Sequence, residues 1–323
     1  MALLVSLFFG FVPMFLFAMF VYWLDRYEKE PKALLGAAFL WGVVIAAGGA
    51  FIINTVFGIG IYYATGSEGV ADSATTSVVA PFVEESLKGL AVLAVFLFFR
   101  REFDSVLDGI IYAGIVALGF AATENSFYIF SRGYQEGGWR WLWYLVFVRV
   151  VLVGWQHPFY TAFTGIGLAV ARMNKSILVR LIVVPLGFGV AVLAHAFHNS
   201  VGNVIEGVEG RVVGTAFDWF GWVLMFVFIL FMIGRERALV QRHMQEEVSA
   251  GLITDAQLRR ALSPMTMTTA GWSGPATARF YQAIGELAHK KEQYTRLGDE
   301  GGNLAIIDTL RQELSALSPQ VRA

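Results

Sequence analysis

The sequence of 323 residues contains no cysteine, only 8 prolines and comparatively few charges. Without cysteine, a disulfide framework, a thiolate metal site and a cysteine nucleophile are all excluded. Charged residues account for 15% of the chain, whereas soluble domains carry about 25%. Apolar residues account for 56%, so a water-soluble globule of this composition would expose large apolar patches. The composition therefore excludes an ordinary soluble domain.

Long apolar runs recur from the N-terminus to about Gly234, and the rest of the chain is polar. Because a bilayer core of about 30 Å needs about 20 helical residues, these runs predict an all-α, polytopic transmembrane helix bundle. We predict a bundle domain at residues 1–234 with about seven spans, and a small helical cytoplasmic tail at residues 235–323. The predicted spans are Ala2–Leu24, Ala33–Ile53, Val78–Phe99, Val106–Phe130, Trp143–Ala171, Ile177–Ile205 and Ala216–Gly234.

The fifth predicted span is too long for a straight crossing and contains Arg149, so an even number of spans stays open. We expect the Arg149 guanidinium to extend to the outer interface. Pro158 removes a backbone hydrogen bond and clashes with the carbonyl of Gly154, which predicts a kink at His157. Such a kink would favour a water-filled cavity beside the histidine.

Loop charges orient the chain in the cell membrane. The first basic residue, Arg26, follows the first apolar run, so that run is predicted to be a retained span and not a cleavable signal. The loop at Asp25–Lys32 holds three basic residues, whereas Ala64–Ser77 holds none. Cytoplasmic loops carry the excess of Lys and Arg, which predicts an external N-terminus and a cytoplasmic tail.

The tail is predicted to contain helices at Ala256–Leu262, Ala276–Arg296 and Leu304–Leu317. It has no basic cluster and no nucleic-acid motif, so we predict no nucleic-acid partner. The predicted contacts of the whole protein are the lipid bilayer and a substrate, while the partner of the tail stays unassigned.

Ionisable residues inside four spans are the strongest functional signal, because such groups are costly in the hydrocarbon region and tend to face the bundle interior. They are Glu84, Glu85 and Lys88 in the third span, Glu124 with Asn125 in the fourth, His157 in the fifth, and His195 and His198 with Asn199 in the sixth. At about 1.5 Å per residue, the carboxylates and histidines lie at overlapping depths in the outer half of the membrane. One shared site is therefore predicted.

Spacing within the motifs predicts local pairs. Lys88 follows Glu85 by three residues and Glu84 by four, so the ammonium can hold either carboxylate and leave the other free. His195 and Asn199 share one helix face. We interpret His198 as a packing or hydrogen-bonding partner, and Asp218 as an ordinary charge near a span end.

The motifs as a set resemble the PrsW family of intramembrane proteases, which is distantly similar to the CAAX prenyl proteases and bacteriocin-processing membrane proteases. The string that carries the resemblance is Glu84-Glu-x-x-Lys88, Asp108-Gly-x-x-Tyr, Gly-Phe-x-x-x-Glu-Asn125, His157 and His195-x-x-x-Asn199, within Tyr22–Val204. His198 departs from it, since an aromatic residue is expected there. The resemblance implies an endopeptidase that cuts a single-pass membrane protein near its extracytoplasmic end. In the family the substrates include anti-sigma factors.

Two chemistries stay open from the sequence. In the first, zinc is held by Glu124, His157 and His195, and Glu84 or Glu85 is the general base on a water bound to it. In the second, which needs no metal, Glu84 and a histidine activate water while His195 and Asn199 stabilise the oxyanion. Lys88 orients a carboxylate in either version. Two histidines and a glutamate recur in zinc sites, which favours the first.

The competing class is a proton- or ion-coupled transporter, because pumps also cluster Glu and His within spans. Many transporters are built from inverted repeats, and the sequence contains no evident pair of such repeats. A structural scaffold is the third alternative.

Overall fold

The structure, a computed structural model, describes residues 1–205 and 208–321, and all regular elements in that part of the chain are helical. The first nine helices are α1 (Ala2–Leu24), α2 (Lys32–Thr65), α3 (Glu68–Ala74), α4 (Ala80–Phe98), α5 (Val106–Tyr128), α6 (Glu136–Val146), α7 (Gln156–Arg172), α8 (Ile177–Val204) and α9 (Val208–Ser249). The last four are α10 (Asp255–Ala261), α11 (Thr266–Thr269), α12 (Pro275–Leu297) and α13 (Asn303–Leu317). The predicted all-α class is confirmed.

By length and composition, five helical stretches among the described residues are able to cross a membrane. They are Ala2–Leu24, Lys32–Thr65, Val106–Arg172, Ile177–Val201 and Val212–Ser249. The third has 67 residues, which would extend about 100 Å as one straight helix. It is not straight, because Gly138 has φ 67° and ψ −158° and the backbone leaves helical geometry before α7 begins at Gln156. Helix α4 carries three ionisable residues and lies outside these five.

Helix α5 is the buried centre of the bundle, and glycines let its neighbours approach closely. A Cβ at Gly109 would lie 2.3 Å from the carbonyl oxygen of Gly165, and one at Gly119 would lie 2.1 Å from that of Phe39. Small residues permit such close packing of helices within membranes. The early part of α5 thus meets the late part of α7, while Glu124, late in α5, meets His157, early in α7. The two helices are therefore antiparallel neighbours.

The kink predicted at His157 in the fifth span is wrong, because the chain bends before that residue. Helix α6 ends at Val146, a π-helical turn covers Phe147–Leu152, and α7 begins only at Gln156. Pro158 is consequently the third residue of α7, where a backbone N–H would have no partner within the helix in any case. The proline fits the start of a helix and does not kink one.

Helix α9 continues from the membrane region into the tail. It has 42 residues, about 63 Å, so the predicted domain boundary after Gly234 falls inside an unbroken helix. The tail helices α10, α12 and α13 agree with the three predicted segments. Helix α12 packs on the loop between α1 and α2: a Cβ at Gly285 would lie 1.9 Å from the carbonyl oxygen of Tyr27.

Candidate active site within the bundle

Helix α4 supplies a buried ion pair that fixes one of its two adjacent glutamates. Lys88 Nζ lies 2.5 Å from Glu85 Oε1, and both side chains are inaccessible to solvent. Thr161 Oγ1 of α7 donates to Glu85 Oε2 at 2.8 Å, and His195 Nδ1 of α8 lies 2.9 Å from Glu85 Oε1. Both oxygens of Glu85 are thus engaged. The prediction that the lysine holds one glutamate and leaves the other is confirmed.

The glutamate that is left is Glu84. Its Oε2 is buried and has no hydrogen-bond partner among the described residues. The nearest ring nitrogen, Nε2 of His195, is 3.9 Å away. A buried carboxylate oxygen without a partner is costly, and such an atom commonly marks a site that binds a ligand.

Glu124 of α5 joins the group through His157. Nε2 of His157 lies 2.9 Å from Glu124 Oε2, and Nδ1 of the same ring lies 3.3 Å from Lys88 Nζ. The two imidazoles meet edge to face, with ring centroids 5.3 Å apart. The structure thus brings together Glu84, Glu85, Lys88, Glu124, His157 and His195, from four helices.

Arg149 is turned inward, so the prediction that it extends to the interface is wrong. Its guanidinium contacts the carboxylate of Glu124, and its Nε donates to Asn125 Oδ1 at 2.7 Å. It also lies over the ring of Tyr128, 4.5 Å from the centroid. A largely buried carboxylate needs a cation nearby, and in this protein Glu124 obtains it from Arg149.

The three carboxylates differ in their access to solvent. The Glu124 side chain is 19% exposed, that of Glu84 is 9% exposed, and that of Glu85 is fully buried. Glu124 therefore lies on the more open side of the group, and Glu85 lies on its fully buried side.

Asn199 does not share the contacts of this group. Its Nδ2 donates to the carbonyl oxygen of Thr76 at 3.0 Å, which joins α8 to the turn that precedes α4. The side chain amide is therefore bound to backbone near the rim and not to the carboxylates or imidazoles described above.

Sequence reasoning missed one contact network behind His195. Asp218 is fully buried and accepts a hydrogen bond from Tyr160 Oη at 2.6 Å, so its interpretation as an ordinary charge at a span end is wrong. Asp218 Oδ2 also lies 2.6 Å from Nδ1 of His198. A carboxylate buried in a membrane helix needs such partners. The signal available in the sequence was an acid within an apolar run, with an unpaired histidine on the preceding helix.

The residues present fit a divalent metal ion. Glu84, His157 and His195 each offer one ligand atom, and these atoms lie within 4.8 Å of one another. Ligand atoms around tetrahedral zinc are about 3.3 Å apart, close to the 3.9 Å between Glu84 and His195. The Glu85 carboxylate behind His195 is the usual support of a ligating histidine. Lys88 pairs with Glu85 and Arg149 pairs with Glu124, so among the described residues Glu84 is the carboxylate of the group that no lysine or arginine engages.

A second group with the same ligand types lies between the bundle and the tail. Glu28, Asp104 and His289 also bring their ligand atoms within 4.8 Å of one another. Here, however, Glu28 Oε2 lies 2.6 Å from His289 Nδ1, and Lys290 Nζ lies 2.5 Å from Asp104 Oδ2. The carboxylates of Glu28 and Asp104 are therefore both engaged in ion pairs.

Comparison with known proteins agrees with this geometry. A family profile described as PrsW family intramembrane metalloprotease matches residues 30–233. The chain is similar to Protease PrsW of Bacillus subtilis, with 25% identity over 71% of this chain and 92% of that protein. It is 33% identical to Protease PrsW of Geobacillus kaustophilus over 36% of this chain, and 37% identical to that of Clostridioides difficile over 33%. The last two alignments span about half of each relative, 48% and 43%. No solved structure matches the chain significantly.

The profile begins after α1, covers every residue of the intramembrane group, and ends at the residue before Gly234, within α9. The predicted resemblance is thereby confirmed, and the chain belongs to the PrsW family of intramembrane metalloproteases.

Proposed function

We propose that this protein is an intramembrane metalloendopeptidase that hydrolyses a peptide bond of a single-pass membrane protein in the outer half of the bilayer. Membership of the family supports peptide-bond hydrolysis within a membrane. The observation that carries the assignment to these residues is the buried, unpartnered Oε2 of Glu84 beside two imidazoles. Anti-sigma factors are the substrate class that we propose, by analogy with the family.

Glu84, His157 and His195 are the proposed ligands, and zinc is the proposed metal because it takes imidazole and carboxylate ligands and keeps a fourth position open. The chemistry that zinc supplies when bound is a water of lowered pKa and polarisation of the scissile carbonyl. Glu85, held by Lys88 and Thr161, fixes the orientation of His195 through its Nδ1.

Glu124 is the proposed general base, because it is the most exposed of the three carboxylates and touches His157. Arg149 holds its carboxylate in place. This proposal exchanges Glu84 and Glu124 relative to the assignment made from sequence, in which Glu124 was a ligand and Glu84 or Glu85 the base. Asn199 has no role in it, because its amide is engaged by Thr76.

Metal analysis of protein purified without chelators tests these roles. We expect about one zinc per wild-type chain, loss of both zinc and cleavage in Glu84→Gln, and loss of cleavage with zinc retained in Glu124→Gln. Glu68→Gln, at the exposed start of α3, is the control and should retain both. If Glu124→Gln loses zinc while Glu84→Gln retains it, Glu124 is a ligand, as the sequence predicted. Full cleavage by zinc-free protein would establish the metal-free glutamate chemistry instead.

For the membrane topology we propose seven crossings: α1, α2, α4, α5, α7, α8 and α9. The antiparallel contact of α5 with α7 supports two crossings within Val106–Arg172, and α4 packs between the helices that hold the other site residues. An odd number puts the termini on opposite sides. The basic residues near Arg26 favour an external N-terminus, a cytoplasmic tail at residues 235–323 and a bundle domain at residues 1–234.

Single introduced cysteines test this topology, since the chain has none of its own. A membrane-impermeant maleimide added to intact cells should label Gly69→Cys, at the start of α3, and should leave Gln245→Cys, late in α9, unlabelled. The reverse pattern would invert the orientation. Labelling of both positions from one side would require an even number of crossings.

A further inference from the structure

A buried acid on α9, Asp218, is connected to the active site through Tyr160 and does not contact the site directly. Asp218 lies on the last helix of the bundle, accepts a hydrogen bond from the Tyr160 hydroxyl at 2.6 Å, and has its Oδ2 2.6 Å from Nδ1 of His198. Tyr160 belongs to α7 and His198 to α8, so this one carboxylate connects three helices. The carboxylate is fully buried, which makes its hydrogen bond from Tyr160 to Oδ1 important; Oδ2 lies 2.6 Å from His198 Nδ1 but has no hydrogen bond of good geometry among the described residues.

The ring of Tyr160 continues the network to His195. The two rings are stacked, with centroids 4.9 Å apart and an interplanar angle of 21°. This offset-stacked geometry is favourable for aromatic pairs. The other contacts of the imidazole are the edge of His157, at a centroid distance of 5.3 Å, and Glu85 at Nδ1. Its Nε2 is left facing Glu84.

A glycine on α9 allows the approach that this network requires. A Cβ at Gly221, three residues after Asp218, would lie 2.3 Å from Cζ of Phe159, the neighbour of Tyr160. The bare backbone at Gly221 therefore lets α9 lie against the first turns of α7. A methyl group there would force the Phe159 ring, next to Tyr160, to move.

We propose that Asp218 is a positioning residue of the active site: through its hydrogen bond to Tyr160, and braced by His198, it fixes the plane of the His195 imidazole. The proposal rests on the proposed function, in which His195 Nε2 is a metal ligand. Rotation of the ring about its bond to Cβ would carry Nε2 away from Glu84. The stacked phenol opposes that rotation, and Asp218 keeps the phenol in register.

The bundle offers a matched control. Tyr112 is a second fully buried tyrosine whose hydroxyl donates to a buried carboxylate, that of Glu30, near the tail. Tyr112→Phe and Glu30→Gln delete the same kind of hydrogen bond as Tyr160→Phe and Asp218→Asn. A purely structural role predicts the same outcome for both pairs, namely a lower melting temperature with unchanged catalysis.

The test uses the full-length protein in detergent, zinc ion as the binding probe with a competing chelator, and cleavage of a tagged single-pass reporter that the wild type cuts. We expect Tyr160→Phe and Asp218→Asn each to weaken zinc binding and lower kcat about 10-fold with little change in KM. The double variant should be no worse than the more damaging single one, since both break the same hydrogen bond. The control pair should retain wild-type zinc affinity and kcat.

His195→Ala distinguishes a failure of the positioning role from a failure of the proposed function. If His195→Ala loses zinc and cleavage while Asp218→Asn retains both, the positioning role is wrong and the proposed function stands. If His195→Ala keeps full zinc affinity and cleavage, the proposed function itself fails. If the wild type binds no zinc, kcat is the measurement that decides. The positioning role is contradicted if the kcat losses of Tyr160→Phe and Asp218→Asn add in the double variant, or if Tyr112→Phe and Tyr160→Phe lose kcat equally.

Discussion

Two groups of histidine and carboxylate side chains in this protein offer the same ligand atoms, but they differ in how those atoms are satisfied. Glu84, His157 and His195 lie in the bundle, and one carboxylate oxygen among them has no hydrogen-bond partner within the described part of the chain. Glu28, Asp104 and His289 lie where the tail meets the bundle, and ion pairs engage both of their carboxylates. The types of residue present therefore do not distinguish a reactive site from a structural junction. The unsatisfied atom does.

Electrostatics at the junction agree with a structural role. Burial and the nearby Asp104 raise the pKa of Glu28 to about 7. Burial alone would raise the pKa of Asp104, but Lys290 and His289 hold it below its ordinary value. Burial by itself would lower the pKa of His289, but Glu28 and Asp104 raise it well above the ordinary value. The junction thus contains its own balancing charges and joins α12 to two loops of the bundle.

The largest expected difference between the groups is in catalysis. Glu84→Gln, Glu124→Gln, His157→Ala and His195→Ala should each reduce cleavage by about 10³-fold or more, because each removes a group that touches the reacting atoms or their metal. Glu28→Gln and His289→Asn should stay within a few-fold of the wild type. Initial rates on a tagged single-pass reporter provide the measurement, with membrane levels of each variant as the control. If His289→Asn lowers the cleavage rate as much as His195→Ala does, the distinction between a catalytic group and a structural junction is wrong.

The two buried lysines give the next comparison. Lys88→Met leaves Glu85 without its cation and allows His195 to shift, so we expect a 10- to 100-fold loss of kcat, on the order seen for residues that support metal ligands. Lys290→Met leaves Asp104 unpaired instead, which should cost about 3–5 kcal/mol of stability and loosen the tail. Rates measured beside limited proteolysis of the tail separate the two. The assignment is contradicted if Lys88→Met makes the tail sensitive to proteolysis, or if Lys290→Met lowers the cleavage rate while its tail stays protected.

The smallest effect is a pH dependence confined to the junction. The pKa values of Glu28 and Asp25 are both raised to about 7, with burial as the largest cause. An acid whose pKa is higher in the folded state stabilises the fold while it is protonated, so this stabilisation is complete below about pH 4 and is lost as the pH rises through 7. The raised pKa of His289 acts in the same direction, whereas the lowered pKa of Asp104 matters only below its ordinary value of 3.8.

We therefore expect the midpoint of thermal unfolding of the tail contacts to fall by about 5 °C between pH 5 and pH 8. Glu28→Gln should flatten this slope, because the amide does not ionise. Glu68→Gln, far from the junction at α3, should leave it unchanged. A midpoint that rises over this range would contradict the pKa directions given above.

Most of the site could be predicted from sequence because its members stand out chemically. Glu84, Glu85, Lys88, His157 and His195 are polar residues inside apolar runs, and their common depth follows from helical rise alone. The inward turn of Arg149 could not be predicted, since a guanidinium can reach either the interface or a neighbouring carboxylate from the same position. Asp218 was missed because its partners are Tyr160 and His198, and residues on three helices meet only after packing.

The sequence by itself determined the helical membrane class, the family and the helices that carry the reactive groups, since apolar run length and motif spacing are properties of the chain alone. Only the tertiary structure decided which glutamate on α4 keeps an unpartnered oxygen, because Lys88 can pair with either one and the outcome depends on the groups that α7 and α8 bring to Glu85. Lys88 and Thr161 engage Glu85 and Arg149 engages Glu124, whereas Oε2 of Glu84 has no hydrogen-bond partner in residues 1–205 and 208–321. Contacts between side chains of different helices are set by how the helices pack, which the spacing of residues along the chain does not encode.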